Sequence, residues 1–152
     1  PQISEEIAGR RRLIDQPPAL FHIDAEAEPE HESIIHEALK EYRMSLPEER
    51  RVLFDRYSLE DIAIKAVGIG SVGTMCFVGL FFSAENHPLL LQFKQARNSV
   101  LEPYAGKSAY ANHGQRVVIG QRLMQSASDI FLGWTHGRGG RDFFVRQLRD
   151  MK

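Results

Sequence analysis

Cysteine and long apolar runs are what this 152-residue chain lacks most clearly. A single cysteine, Cys76, closes no internal disulfide and builds no cysteine-rich zinc site, so disulfide scaffolds and zinc ribbons are excluded. The longest strongly apolar stretch, Met75 to Phe82, is far shorter than the about 20 residues that a membrane-spanning helix needs. The first residues are charged and contain no apolar core of a secretory signal. We therefore expect a cytoplasmic protein without a membrane span.

Charge is unevenly distributed along the chain, although the formal net charge is only -1. Residues 1–66 carry 15 acidic and 9 basic side chains, whereas residues 107–152 carry 3 acidic and 8 basic ones. A basic C-terminal third can meet phosphates, on a nucleotide or on a nucleic acid. A solvated surface is the more common explanation of such a charge run. Aromatic residues interleaved with the arginines are not evident, so we do not expect nucleic-acid binding.

Helices are predicted in the first part of the chain. Residues 1–30 are acidic and contain prolines without a steady period, which predicts an extended lead-in with short helical turns. In residues 31–60, apolar side chains recur at helical spacing from Ile35 to Tyr42, and these predict an amphipathic helix. Ser45-Leu46-Pro47-Glu48 is a helix-start pattern and predicts a second helix to about Tyr57. Its expected buried side chains are Leu53, Phe54 and Tyr57.

Residues 61–152 predict an α+β unit with an antiparallel sheet of about five strands and one packing helix. The predicted strands are 62–67, Met75 to Phe82, Leu89 to Lys94, Ile130 to Thr135 and Asp142 to Leu148. A helix is predicted from His113 to Ser128, where Gly120 suggests close packing, and residues 136–141 predict a hairpin turn between the last two strands. The chain begins without Met and stops directly after a strand-like run, so we interpret it as a piece of a longer polypeptide.

A glycine cluster between two predicted strands is the sharpest local signal. Gly68-Ile69-Gly70-Ser71-Val72-Gly73 matches G-x-G-x-x-G, but a strand-like run follows it and not the helix of a dinucleotide-binding fold. Strand, glycine loop and strand is the arrangement of a kinase-type loop, in which missing side chains let backbone N–H groups approach nucleotide phosphates. No Gly-Lys-Ser/Thr follows, so a Walker-type loop is excluded. A plain hairpin turn is the alternative explanation.

Lys94 stands where a kinase-type loop requires a lysine. It lies on the second predicted strand after the glycine cluster, 21 residues after Gly73. Its ammonium would neutralise phosphate charge while a glutamate holds its geometry. Glu102 is the better candidate for that glutamate, because Glu85 precedes the strand and the helix predicted over 113–128 contains none. Taken alone, Lys94 is more simply explained as a lysine on an exposed strand face. The order of loop, strand, lysine strand, helix, strand and strand favours a kinase N-terminal lobe.

No metal site is predicted within this chain. The pattern His31-Glu32-Ser33-Ile34-Ile35-His36 looks like a zinc-protease motif, but it separates the two histidines by five positions and so places them on different faces of a helix.

Several linked motifs follow one another along the chain: Val67-Gly68-Ile69-Gly70-Ser71-Val72-Gly73-Thr74, Leu91-Gln92-Phe93-Lys94-Gln95-Ala96, Ser99-Val100-Leu101-Glu102, Gly114-Gln115-Arg116-Val117-Val118, Gly120-Gln121-Arg122-Leu123-Met124-Gln125, Ser128-Asp129-Ile130-Phe131-Leu132-Gly133-Trp134 and Val145-Arg146-Gln147-Leu148-Arg149-Asp150-Met151-Lys152. Together they resemble an uncharacterised bacterial family, domain of unknown function twenty-two fifty-two. The resemblance covers most of the chain from about residue 10 onward. Gln95 departs from it, because a glutamate is expected after the lysine.

The resemblance implies that this chain is the middle of a protein several hundred residues long, whose activity is not established. A segment upstream in the family resembles the Gly-Asp-x-His-x-x-Asn and Asp-Phe-Asp elements of small-molecule kinases. It would supply the catalytic and metal-binding carboxylates, so the ligands of Mg would lie outside this chain. The remainder of its own polypeptide is therefore an expected partner.

These observations together predict the ATP-binding lobe of a kinase-like phosphotransferase, inactive as this fragment alone and with an unknown phosphoacceptor. Lys94 would contact the phosphates, Glu102 would orient it, and residues 147–151 would meet the adenine. The phosphates of the nucleotide would be covered by Gly68, Gly70, Ser71, Val72, Gly73 and Thr74. The alternative is a non-catalytic kinase-like scaffold or nucleotide-sensing interaction module, which the lack of a glutamate on the packing helix favours.

Overall fold

A six-stranded antiparallel sheet forms the centre of the computed structural model, which describes residues 3–22, 29–66 and 73–149. Within those residues the chain is α+β, as predicted, and two helices precede most of the sheet. In chain order the elements are β1 (Ser4–Ile7), β2 (Arg10–Leu13), β3 (Leu20–Phe21), α1 (Pro29–Ser45), α2 (Glu48–Phe54), β4 (Tyr57–Lys65), β5 (Cys76–Ser83), β6 (Pro88–Ala96), α3 (Glu102–Ala105), α4 (His113–Met124), β7 (Gly133–His136) and β8 (Asp142–Gln147). No helix among them is long and apolar enough to cross a membrane.

The strand order in the large sheet is β3-β4-β5-β6-β8-β7, and every neighbouring pair is antiparallel. Strand β6 therefore lies between β5 and β8. Lys94 pairs with Cys76 on one side and with Phe144 on the other. Directly paired residues point to the same face of an antiparallel sheet. We call this side of the sheet the Lys94 face, and the opposite side, which carries Phe93, the core face.

Helices α1 and α2 cover the core face. Tyr42 from α1, Leu46 directly after α1 and Phe54 from α2 are buried against side chains of the sheet. The Tyr42 ring packs edge-on against Phe54, with centroids 5.1 Å apart, and against Phe93 at 6.1 Å. The Tyr42 hydroxyl donates a hydrogen bond of 2.6 Å to the backbone carbonyl of Phe131. This cluster joins both helices to the central strands.

The N-terminal segment and helix α4 both lie on the Lys94 face. Leu13 and Leu20 pack in a second apolar cluster with Ala63, Val78 and Leu80. At the other end of that face, His113 at the start of α4 donates its backbone N–H to Asp142 at 2.7 Å, and Arg122 lies 5.9 Å from the ring centroid of Trp134. Asp142 and Trp134 are on the Lys94 face by register. The Lys94 side chain is therefore on the same face as the helix that follows its strand.

The extended lead-in with helical turns predicted over residues 1–30 is wrong for its first part, which forms the hairpin β1–β2 and strand β3. The turn of the hairpin is Ala8-Gly9, with positive φ at both residues. Register places Glu5 opposite Arg12 and Glu6 opposite Arg11. Opposite charges across a strand pair stabilise the pairing. The composition of the segment shows only that it is charged and does not show which charges face one another.

The second helix ends earlier than predicted, at Phe54, and Tyr57 already begins β4. Leu53 is consequently 37% exposed, whereas Phe54 is buried as predicted. Strand β3, which pairs with the far end of β4, brings the sheet to six strands where about five were predicted. The hairpin turn predicted over 136–141 is confirmed, since β7 and β8 pair directly and Gly139 and Gly140 have positive φ.

Helix α4 begins as predicted, with Asn112 as its cap, but it ends at Met124 and not at Ser128. The prediction that Gly120 marks close packing is wrong, because nothing lies within 4 Å of the position that a Cβ atom would take there. The close approach is at Gly114, where a Cβ would lie 2.2 Å from the backbone oxygen of Phe143. The buried side chain of this helix is Val118, and Met124 is exposed.

A histidine between two carboxylates ties the N-terminal segment to the sheet, and it gives a pH-dependent prediction. His22 contacts Asp15 through Nδ1 at 2.6 Å and Asp61 through Nε2 at 2.9 Å. The hydrogen bond from His22 lowers the pKa of Asp15 below its usual value of 3.8. A lowered pKa means that Asp15 stabilises the fold above about pH 3.8 and that this contribution is lost as pH falls through the folded-state pKa.

The expected result is that Asp15→Asn lowers the melting temperature at pH 6 and that this effect becomes smaller as the pH falls below about 3.8. Thermal unfolding across this pH range is the measurement. Glu60→Gln is the matched control, because Glu60 is an exposed carboxylate next to Asp61 on β4 and makes none of the side-chain contacts to His22. A constant difference between wild type and Asp15→Asn down to pH 2 would contradict the role of the Asp15 carboxylate.

Candidate functional site

Four of the predicted phosphate-binding residues, Gly68, Gly70, Ser71 and Val72, lie outside the described residues. The structure does describe the last two of the set, Gly73 and Thr74, which lead directly into β5. Gly73 has a φ of +79°, a conformation that residues with a side chain rarely adopt. A glycine is therefore required where the chain enters β5.

The residues that lead into β5 are bonded to the end of β6. The guanidinium of Arg97 donates to the backbone oxygen of Gly73. Met75 donates its backbone N–H to the side-chain oxygen of Gln95 at 3.0 Å and accepts the backbone N–H of Gln95 at 2.9 Å. Gln95 thus anchors the start of β5 through its side-chain oxygen. A glutamate, the residue expected here from the family resemblance, also has an oxygen that accepts this hydrogen bond.

Lys94 is half-buried on β6, directly opposite Cys76. Because Cys76 follows Gly73 by three residues, the lysine lies beside the chain that leaves the glycine cluster. Among the described residues, Lys94 forms no ion pair. The cation is therefore presented on the sheet without a carboxylate to neutralise it.

The side chain of Glu102 is hydrogen-bonded to Asn98 and not to Lys94. Glu102 is the first residue of the short helix α3, and its Oε2 accepts a hydrogen bond of 3.2 Å from the side chain of Asn98. In the part of the chain that the structure describes, no ion pair joins Glu102 to Lys94. Helix α4 carries no acidic residue either. The structure thus brings Glu102 to Asn98 and not to the lysine that it was predicted to orient.

A buried polar chain next to Lys94 was not predicted from the sequence. Cys76 and Gln92 are 2% and 3% exposed. Gln92 donates from Nε2 to the sulfur of Cys76 at 3.4 Å and accepts at Oε1 from Nε of Arg146 at 3.0 Å. The sequence contained one indication of this contact: side chains alternate along a strand, so Gln92 lies on the same face of β6 as Lys94.

Burial raises the pKa of the Cys76 thiol, and this effect outweighs the hydrogen bond from Gln92 and the positive charges of Lys94, Lys65 and Arg146, which lower it. The thiol therefore remains protonated at neutral pH and is no activated nucleophile.

Two pockets open on this part of the molecule. The smaller, about 230 Å³, lies between the end of β4 and the start of β5 and is lined by Phe21, Ile64, Lys65, Ala66, Thr74, Met75, Cys76 and Phe77. The larger, about 830 Å³, has an apolar base from Leu80, Phe82 and Leu90. Its wall includes Gln147, Leu148 and Arg149, the described part of the segment predicted to meet adenine. Asp150 and Met151 of that segment are outside the described residues.

A second polar cluster joins β7, β8, α1 and α4. His136 contacts Asp142 through Nδ1 at 2.7 Å and Glu41 through Nε2 at 3.4 Å. Glu41 also accepts the backbone N–H of His136, and Asp142 accepts that of His113. These contacts join β7 and β8 to α1 and to the start of α4. Within the described residues there is no group of three or more His, Cys, Asp or Glu side chains that could hold a metal ion.

The comparisons with known proteins bear on family and not on activity. No curated protein and no solved structure matches this chain. A family model described as "Uncharacterized protein conserved in bacteria (DUF2252)" matches residues 2–152. The chain therefore belongs to this bacterial family.

Proposed function

We propose that this chain is the nucleotide-binding lobe of a kinase-like phosphotransferase of the bacterial cytoplasm, with the phosphates of ATP bound on the Lys94 face. The observation that carries the proposal is the pairing of Lys94 with Cys76. This pairing puts an ammonium that forms no ion pair with any described carboxylate next to the strand that follows a G-x-G-x-x-G cluster. Backbone N–H groups and a lysine at the phosphates are what a kinase-type site uses to position a nucleotide.

The order of elements supports the same proposal. A strand, the glycine-containing segment, a second strand, the Lys94 strand, helix α4 and two further strands follow one another along the chain. This is the order expected of a kinase N-terminal lobe. The 830 Å³ pocket, with its apolar base and the backbone of residues 147–149 at its wall, offers a place for a planar base on the same face as Lys94.

The roles proposed for this chain are binding and orientation. Lys94 holds the phosphates. Gly73 and Thr74, the last residues of the predicted phosphate-binding set, lead from the glycine motif into β5. The described residues fit a polyanion but offer no cluster of ligands for Mg. The ion would be held, together with the catalytic carboxylates, by the remainder of the polypeptide, and it would neutralise phosphate charge there. The phosphoacceptor is unknown.

A second candidate function is a non-catalytic kinase-like scaffold or nucleotide-sensing module. It is favoured by one observation, the absence of an acidic partner for Lys94 among the described residues. A lysine that is held by a glutamate is part of the catalytic arrangement of protein kinases. Transfer of phosphate from ATP by the full-length protein, with its carboxylates intact, would exclude this candidate.

Thermal unfolding of the full-length polypeptide with and without Mg-ATP tests the proposed function. A ligand at 100 times its dissociation constant stabilises the folded state by about 2.7 kcal/mol. We expect this stabilisation in the wild type and not in Lys94→Ala, each compared with its own ligand-free state. Lys107→Ala is the matched control, because Lys107 is exposed in the loop before α4 and should keep the full shift. A wild type that unfolds cooperatively with no shift at millimolar Mg-ATP would refute the proposal.

A further inference from the structure

We propose that Lys65 and Arg146 join Lys94 in a single anion site that binds a linear polyphosphate, either free or as part of a nucleotide. The proposal rests on the proposed function for the choice of a phosphate ligand. It goes further by adding two side chains and by requiring a ligand with several negative charges. Neither residue belongs to the glycine motif or to the lysine position from which the site was first predicted.

Strand register places the two lysines on either side of one residue. Lys94 pairs directly with Cys76. On the other side of β5, Ile64 pairs with Phe77, so Lys65 lies next to Cys76 on strand β4. The backbones of the two lysines are two strand spacings apart, roughly 10 Å. Both side chains are half-buried at the sheet, and their four-carbon stems can bring the two ammonium groups to one ligand.

The third cation, Arg146, is fixed by a buried side chain. Gln92 lies next to Lys94 on the same face, two residues along β6, and it pairs directly with Arg146 on β8. Its Oε1 accepts only Nε of the guanidinium, at 3.0 Å. The two terminal nitrogens of Arg146 make no hydrogen bond to the described residues, and the residue is exposed. An oriented guanidinium with free donors suits phosphate oxygens.

Among the described residues, no carboxylate forms an ion pair with any of these three cations, Lys65, Lys94 and Arg146. The acidic residue closest to them by register is Asp142, and its two oxygens are bonded to His136 and to the backbone N–H of His113. Like charges held on one face repel one another, and a bound anion relieves that repulsion. A ligand with several negative charges offsets the repulsion among three cations better than a ligand with one.

The 230 Å³ pocket supplies space beside one of the cations, Lys65. Lys65 and Cys76 both line it, and Thr74 forms its wall on the side of the glycine cluster. A phosphate group that enters from this side meets Lys65 first, and the rest of a polyphosphate chain extends across Cys76 toward Lys94 and Arg146. The ligand would therefore lie across the strands and would cross β5 at Cys76.

The test is titration calorimetry of the full-length protein with sodium tripolyphosphate, with Mg-ATP and with orthophosphate. A lost charge-assisted hydrogen bond weakens binding by about tenfold or more. We expect that loss for tripolyphosphate in Lys65→Gln and in Arg146→Gln, and weak or no binding of orthophosphate to the wild type. Arg146→Lys should bind more tightly than Arg146→Gln and more weakly than the wild type, because lysine keeps the positive charge but lacks the paired N–H donors of the guanidinium. Arg141→Gln and Lys107→Gln are matched controls with exposed cations outside the site, and they should bind as the wild type does.

Thermal unfolding without ligand shows whether each variant folds, and the exposed Arg146 makes Arg146→Gln the safest of them. Equal affinity of wild type, Lys65→Gln and Arg146→Gln for tripolyphosphate would overturn the proposal. So would tripolyphosphate that does not bind. If Mg-ATP binding were lost in Lys94→Ala and unchanged in the other two variants, the proposed function would stand and the three-cation site would be wrong. Tripolyphosphate binding that depends on all three residues, in a protein that does not bind ATP, would support the site and contradict the nucleotide function.

Discussion

Replacing Gly114 with alanine is expected to lower the free energy of unfolding by about 1–3 kcal/mol, the usual cost of forcing an extra carbon into a packed site. A Cβ at this position would lie 2.2 Å from the backbone oxygen of Phe143 and 2.6 Å from its carbonyl carbon. These are backbone atoms of strand β8 and cannot rotate away as a side chain can. The same Cβ would lie 2.9 Å from the capping oxygen of Asn112. The substitution must therefore push the start of α4 away from β8.

Gly120 provides a control within the same helix. Nothing lies within 4 Å of the Cβ position there, and the residue is exposed. Because glycine inside a helix is less favourable than alanine by about 0.5–1 kcal/mol, Gly120→Ala should stabilise the protein by that amount. Urea unfolding of both variants measures the two effects. Equal effects of the two substitutions, or a stable Gly114→Ala, would contradict the close approach of α4 to β8.

The two glycines also show where sequence reasoning reached its limit in this fold. Helical spacing predicted α4 and its start at Asn112 correctly, because capping and periodicity are local properties. Which glycine is crowded depends on where β8 lies, and β8 is about thirty residues further along the chain. The hairpin between β7 and β8 was predicted for the same local reason that α4 was. The six-stranded order required pairings that no local pattern contains.

The candidate site divides in the same way. The alternation of side chains along β6 predicted that Lys94 and Phe93 point to opposite faces of the sheet. The structure confirms this prediction. Arg146 was not predicted, because its approach to Gln92 depends on the register between two strands 54 residues apart in sequence. Glu102 was chosen from its position after the lysine strand, but its bond to Asn98 is made within a single turn of the chain. Local competition of this kind is invisible to an argument from the order of elements.

Removing the Tyr42 ring is expected to have the largest effect of any substitution considered. Tyr42 is 0% exposed and contacts both Phe54 and Phe93 edge-on, so it joins α1, α2 and β6. Truncation of a buried aromatic residue to alanine costs about 3–5 kcal/mol, which includes the cavity left behind. Tyr42→Ala should therefore lower the free energy of unfolding by that amount in urea titrations. A loss below 1 kcal/mol would show that the packing of α1 on the sheet is not as described.

Tyr42→Phe isolates the hydroxyl from the ring. It removes the donor to the Phe131 carbonyl, which lies 2.6 Å from the Tyr42 oxygen in a buried site, and it leaves that acceptor without its partner. The expected cost is about 1–3 kcal/mol. Tyr104→Phe is the matched control and should change nothing, because Tyr104 is 88% exposed. If both substitutions had the same small effect, the hydroxyl of Tyr42 would contribute nothing to the fold.

The protonation state of Tyr42 adds a second, independent measurement. Burial raises the pKa of Tyr42 well above its usual value of 10.0, and the nearby Asp129 raises it further, against a smaller lowering by Arg122. A raised pKa means that the folded state holds the proton more tightly than the unfolded state does. The stabilisation is then complete below pH 10 and is lost as pH rises above that value. In Tyr42→Phe this alkaline loss should be smaller than in the wild type, because the variant has no phenol to ionise at that position.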